Sequence, residues 1–288
     1  MSIWRANFPN AVCMFFIVIM ISCNQNVDYK DDAEIVNSNF IVKKLSNNEN
    51  VILKDKTIKG LLNFTSVNFQ KFYGTVYIEP VVYFENCIFE DSVCASSQSE
   101  KCVFSKKVIF KDCHFIKGVG FNNVEFKDDY FMDLSKIDGV AAFNGTFFRS
   151  KSSFASVNFL GNTTFSGTVF FMETSFNKSL FKKDCIFHFA RFNNFARFME
   201  SYFYGYTDFS QIFSGSILDF TAAKFSGETL MSYSTLLGDV LFSNCRFKQK
   251  PELKENAVLG EIILKNIDGE IPDITNNKMF NQLNFSKK

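Results

Sequence analysis

Large apolar residues recur along this chain on an alternating beat of five and six. Positions 154, 159, 165, 170, 176, 181, 187, 192, 198, 203, 209, 214, 220, 225, 231, 236, 242 and 247 form eighteen rungs, fifteen of them phenylalanine. The exceptions are Ser214 (with Phe213 beside it), Met231 and Leu236. With 39 phenylalanines in 288 residues, composition alone puts about two in eighteen places, so chance does not produce the beat. A helix cannot use it, because five residues turn a helix by about 500° and throw successive rungs onto nearly opposite faces. An 11-residue period can mark a right-handed coiled coil, but this stretch is rich in Ser, Thr, Asn and Gly rather than helix formers. A continuous strand fails as well, since a five-residue step inverts its face. The pattern works only if the chain turns a corner between rungs, giving each rung its own short strand.

The residue two before each rung shares its face in a strand. None of these is charged and most are small, as at Ser152, Thr163, Thr168, Thr174, Ser179, Ala190, Ala196 and Ser201. Turn formers follow the rungs, as in Ser166-Gly167, Asn177-Lys178, Ser226-Gly227 and Ser243-Asn244. Each unit is therefore a small inward residue, an outward one, a large inward one, and a corner. Upstream, Phe110/Phe115, Phe121/Phe126, Met132/Ile137 and Phe143/Phe148 keep the register. Phe84/Phe89 and Phe104 need a slip, and Asp91 to Lys101 reads as a bulged side or loop. Phe64/Phe69 are placed in the first coil. Beyond Pro251, Leu253, Val258 and Leu264 keep the spacing through one or two irregular turns, and the tail from Glu270 reads as a cap over the last strand edge.

Units such as "CIFEDS", "CHFIKG", "VEFKDD", "VNFLGN" and "AKFSGE" resemble those of the pentapeptide-repeat family, with its central Leu or Phe and small residue two before. The resemblance covers roughly residues 57 to 250 and is to the phenylalanine-centred branch. It implies an all-β fold, a right-handed quadrilateral β-helix with four short sides per coil. Two 11-residue units would make a coil of 22, and the columns agree: positions 154, 176, 198, 220 and 242 are all Phe, as are 159, 181, 203, 225 and 247.

The N-terminus is written differently. Arg5 is followed by Pro9-Asn10 and an apolar run from Val12 to Ile21, ending in Ser22-Cys23. Basic start, apolar centre and small residue before a cut have the order of a secretory signal, and the run is shorter than the roughly twenty residues a membrane span needs. Met20-Ile21-Ser22-Cys23 resembles a bacterial lipobox, which implies that Cys23 is acylated as the mature N-terminus; the alternative is an ordinary signal with a coincidental cysteine. Either way the chain leaves the cytoplasm. The expected organisation is a lipoprotein signal peptide over 1–22, a tether and N-terminal cap over 23–56, the repeats over 57–250, and irregular turns with a cap over 251–288. Removing residues 1–22 removes Arg5 and no other charge, leaving 30 basic against 30 acidic residues. The polar start with Asp28, Asp31, Asp32 and Glu34 matches either a surface-export cue or a solvated linker.

Little in the chain points to chemistry. Cys87, Cys102, Cys113, Cys185 and Cys245 all stand two before a rung, where cysteine serves as a small core hydrophobe, so free buried thiols are expected rather than disulfides. Cys94 falls on the expected loop, and Cys87 and Cys102 are the pair that the irregular early turns would bring nearest. His114 and His188 lie 74 residues apart beside rungs and face outward. No zinc spacing, phosphate-cradling glycine loop or nucleophile elbow occurs, so neither metal, cofactor nor enzymatic activity is expected. The outward aromatics Phe195, Tyr202, Tyr204 and Tyr206 rise above the background. Phe195 and Tyr206 would fall on opposite sides, whereas Tyr202, Tyr204 and Tyr206 alternate on one side as a candidate patch for sugar or protein. The expected function is a non-catalytic envelope lipoprotein, anchored by its lipid at the outer membrane, on its periplasmic face or at the cell surface. It would present a rigid surface to a protein or glycan. Two alternatives are weighed. A DNA mimic shielding a topoisomerase needs an acidic cytoplasmic rod, which a neutral exported chain without a nucleic-acid partner fits poorly. An envelope enzyme acting on polysaccharide is the other.

Overall fold

The computed structural model describes residues 34–280. Cys23 and the segment before it lie outside them. The chain winds into a parallel β-solenoid whose coils each have four sides. The first side stacks ten strands from Val51–Lys54 to Ile262–Ile263, and the second eleven from Glu34–Asn37 to Asp268–Gly269. The third stacks eight from Leu62–Asn63 to Thr229–Leu230, and the fourth eleven ending at Lys278–Met279. In a typical coil the chain passes Ser152–Ser153, Asn158–Phe159, Thr163–Thr164 and Val169–Phe170 in that order. His114 pairs with Lys136, and every later strand of the second side pairs with the residue 22 further on.

All eighteen rungs and all eighteen residues two before them are buried. The phenylalanines stack in columns. Phe154, Phe176, Phe198, Phe220 and Phe242 follow one another with ring centroids 4.8, 4.8, 5.0 and 5.0 Å apart. That is the spacing of adjacent strands, so each ring lies flat on the one below. The small partners also have a polar task. Thr168, Ser179 and Ser201 donate to the carbonyls of Phe143, Phe154 and Phe176 at 2.6, 2.5 and 2.6 Å, each 25 residues back. These three hydroxyls are tolerated inside because each satisfies a carbonyl that the corner turns inward, and Ser152 instead donates to the Thr174 hydroxyl at 2.9 Å. The Cys245 thiol takes the same place, lying 2.9 Å from the Phe220 carbonyl.

Corners come in two kinds. After the first and third sides, one residue in eleven from Asp112 to Asn266 is left-handed, as at Ser156, Gly167 and Lys178 with φ of 59°, 64° and 60°. That conformation costs a non-glycine residue about 1 kcal/mol, and it lets the ladder continue round the bend: Lys178 N–H donates to Met199 O at 2.8 Å. After the second side the backbones of successive coils nearly touch. A Cβ on Gly161 would lie 2.1 Å from the Gly139 carbonyl oxygen.

The early coils are wider. Thr57 pairs with Ile88, 31 residues on, because an antiparallel hairpin of Gln70–Phe72 with Thr75–Ile78 is inserted. Ile88 then pairs with His114, 26 residues on; the surplus is held in a tight turn closed by Cys102 N–H to Ala95 O and Ser97 N–H to Glu100 O. The expected bulge over Asp91 to Lys101 is this turn. Of the two phenylalanines placed in the first coil, Phe64 is buried, whereas Phe69 is 40 % exposed at the foot of the hairpin and is no rung. Within the segment expected as tether and N-terminal cap, the described part from Glu34 on belongs to the stack and its cap. Glu34–Asn37 is the first strand, and helix Ser38–Ser46 closes the open end with Ile41 and Leu45 fully buried. At the far end the stack runs past Pro251, with Leu253 and Val258 buried and Leu264 half-buried.

Candidate functional site

Because the interior is filled, chemistry is left to the outside, where every side carries columns of outward residues. On the second side these stand one before and one after each rung. Tyr202 and Tyr204 flank Phe203 in this way, with ring centroids 5.3 Å apart and nearly parallel. The coil above places Lys224 Nζ 4.7 Å from the Tyr202 ring, and the coil below places Lys182 Nζ 4.3 Å from the Tyr204 ring. Both ammoniums are exposed and gain from the ring quadrupoles. Arg246 and Lys248 follow in the same two columns, and Arg246 meets Asp268 at 3.4 Å. Among the described residues Lys182, Lys224 and Lys248 have no carboxylate within ion-pair distance.

Tyr206 does not join this group. Gly205 turns the corner between them, and Tyr206 stands at the start of the third side, where its backbone N–H donates to Asp184 Oδ1 at 3.1 Å. Burial, together with Asp208 and Glu228, raises its pKa. Phe195 lies beside the first side with Arg197 5.3 Å from its ring, opposite Tyr206.

The histidines sit outward, each facing a carboxylate, with His188 Nδ1 3.5 Å from Asp208 Oδ2. His114 Nε2 lies 2.7 Å from Asp138 Oδ2, whose other oxygen is 2.9 Å from Lys136 Nζ. Burial acts to raise the Asp138 pKa, but the hydrogen bonds from Lys136 and His114 outweigh it and hold the carboxyl below its usual range. On the first side Glu85 accepts from Lys111 and Lys54, both at 2.7 Å, and from the Tyr83 hydroxyl at 2.8 Å; these bonds hold it at about 2. Among the described residues no three His, Cys, Asp or Glu side chains are grouped as metal ligands would be.

Among the described residues the thiols are buried except Cys94, which is half-buried. Cys102 does not approach Cys87; it lies on the fourth side. The neighbour of Cys87 is Cys113, one coil on in the same column, and each thiol faces backbone carbonyls, Cys87 that of Glu85 at 3.4 Å and Cys113 that of Lys111 at 3.5 Å.

Sequence reasoning missed the fourth side. Its outward columns carry Phe147, Arg149, Phe171, Arg191, Phe213 and Leu237. Arg149 lies 4.4 Å from the Phe171 ring and Arg191 4.4 Å from the Phe213 ring. The signal was a recurrence of aromatic and arginine residues at multiples of 22 beside the rungs, hidden by the denser beat of the rungs themselves. No family model, curated protein or solved structure matches the chain.

Proposed function

We propose that this protein is a non-catalytic lipoprotein of the cell envelope, of the pentapeptide-repeat type, whose rod is a rigid scaffold presenting surface side chains to a protein or glycan partner. The observation that carries the reading is the register. A 22-residue step from His114 to the last coil, where it falls to 21 on the third and fourth sides, sets each outward residue over its counterpart, so the surface is a set of straight, fixed rows. The filled core supports it, since every rung and small partner is spent on packing. Topoisomerase protection by DNA mimicry is disfavoured: the rows with distinctive chemistry carry lysine, arginine and aromatic residues where a mimic needs carboxylates.

The test is lipidation and fractionation. In a Gram-negative host the chain should take up labelled palmitate, sediment with membranes, and accumulate as precursor under globomycin. Cys23→Ala should abolish labelling. Equal labelling of both proteins, or recovery of both from the cytosol, refutes the reading.

A further inference from the structure

The chemistry of the second side between Lys182 and Lys248 goes further than a generic surface. Over four consecutive coils its two outward columns present Lys182, Tyr202, Tyr204, Lys224, Arg246 and Lys248, and no carboxylate. Asn158 and Leu160 precede the patch and Asp268 and Glu270 end it. The acids at its flanks are Asp184 and Glu228, past the corner on the way to the third side, and Glu200, on the corner from the first side, where it meets Lys178 at 3.8 Å. What projects into solvent is an array of donors: three ammoniums, a guanidinium and two phenol hydroxyls.

The shape of the array narrows its ligand. Two residues along a strand span about 7 Å, and three steps between coils span about 14 Å, so the patch covers on the order of 100 Å². A stable protein partner needs roughly 800 Å² on each side. An extended peptide binds by adding to an open strand edge, yet here Leu180–Phe181, Tyr202–Phe203, Lys224–Phe225 and Arg246–Phe247 are already paired to one another. Single-stranded nucleic acid stacks its bases on free aromatic faces, whereas these rings are covered by two ammoniums and by each other. A narrow strip of donors along the rod fits a linear chain that offers carboxylate and hydroxyl acceptors on every unit.

We propose that this strip binds a linear acidic polysaccharide, one whose sugar units carry carboxylates, lying along the rod axis. The inference rests on the scaffold reading for where such a chain is met, while the binding itself is a property of the purified protein. Lysine pairs with the carboxylates and the tyrosine hydroxyls donate to ring oxygens and hydroxyls. Binding weakens with salt, because the contacts are exposed charge pairs.

Calorimetric titration of the purified full chain tests this, with polygalacturonate as probe and its methyl-esterified form, polyglutamate and a single-stranded oligonucleotide as comparators. Polygalacturonate should bind at low salt, and each comparator at least about tenfold more weakly. Lys182→Gln with Lys224→Gln should weaken binding about five- to tenfold, as the loss of two exposed charge pairs implies. Tyr202→Phe with Tyr204→Phe should weaken it by a smaller factor, and Arg149→Gln with Arg191→Gln on the fourth side should leave it within about twofold. Unchanged circular dichroism keeps the variants comparable. Absence of polygalacturonate binding, equal binding of any comparator, or an unaffected lysine variant overturns the proposal. Palmitate labelling of Cys23 is read separately, so failure here leaves the envelope assignment standing and failure there leaves the binding standing.

Discussion

Replacing Phe176 with alanine is the most direct probe of the stacked core. The ring lies flat between Phe154 and Phe198, each at 4.8 Å and 2°, and meets Phe165, Phe170 and Phe187 edge-on at 5.1, 5.9 and 5.3 Å. Full burial of a phenylalanine side chain is worth about 1.5–3 kcal/mol by transfer alone. The neighbouring rungs are held by their own backbone ladders on both sides, so they cannot close the gap. The cavity therefore adds to the transfer term, and the total falls at about 3–5 kcal/mol. With a urea dependence of roughly 3 kcal/mol per molar, the upper end for small proteins, the midpoint should drop by about 1–1.7 M. Asn177→Ala, at the adjoining corner, is the control. It removes an acceptor for Met199 N–H at 3.0 Å in a half-buried setting where water substitutes, at about 1 kcal/mol or less. Urea melts of the two variants, followed by circular dichroism, decide the matter. Equal losses at the two positions would mean that the inside and outside of the coil have been exchanged.

Two further outcomes are expected. Burial raises the thiol pKa values of Cys113 and Cys185 and pushes Cys245 up to about 12, so alkylation at mildly alkaline pH should spare all three until the protein is denatured, after which labelling without reductant should reach each. A disulfide mapped to Cys185 or Cys245 would overturn the register, while one at Cys113 could join only Cys87. Glu85 is held at about 2 against an ordinary value near 4.3, so its contribution to stability is complete above the ordinary value and is lost as pH falls toward 2. Glu85→Gln should melt lower than the parent at neutral pH and converge with it in acid; parallel melting curves at every pH would refute the assignment.

What the sequence disclosed follows from what repeats. Phe176 and Ser179 were legible because the coil imposes the same demand at each turn, and a demand repeated eighteen times stands out from any background. The hairpin over Gln70–Ile78 and the helix Ser38–Ser46 each occur once, and the helix shows only Ile41 and Leu45 as a buried face. The two kinds of corner were equally hidden, since Lys178, Phe189 and Ala222 share a left-handed backbone and no side-chain chemistry. Outward residues recur only loosely, at multiples of 22 within one side, under the denser beat of the rungs. Tyr206 was grouped with Tyr202 and Tyr204 because spacing by two suggests a common face, and the corner at Gly205 breaks that inference. The fourth-side row of Phe and Arg and the lysines over the tyrosine rings came into view only when residues 22 apart were placed in contact.

The uniform separation of contacting coils also governs how the rod answers a pull. Each coil touches only its two neighbours, so tension between the chain ends loads one interface at a time. A coil that peels away frees 22 residues, roughly 75 Å of extended chain, while the rod shortens by only about 4.8 Å. Stretching lengthens the molecule in near-equal increments of about 70 Å, each leaving a flat, fully formed coil exposed as the seat for rewinding. Pulled from its ends, such a rod lengthens stepwise while the coils not yet unwound keep their register.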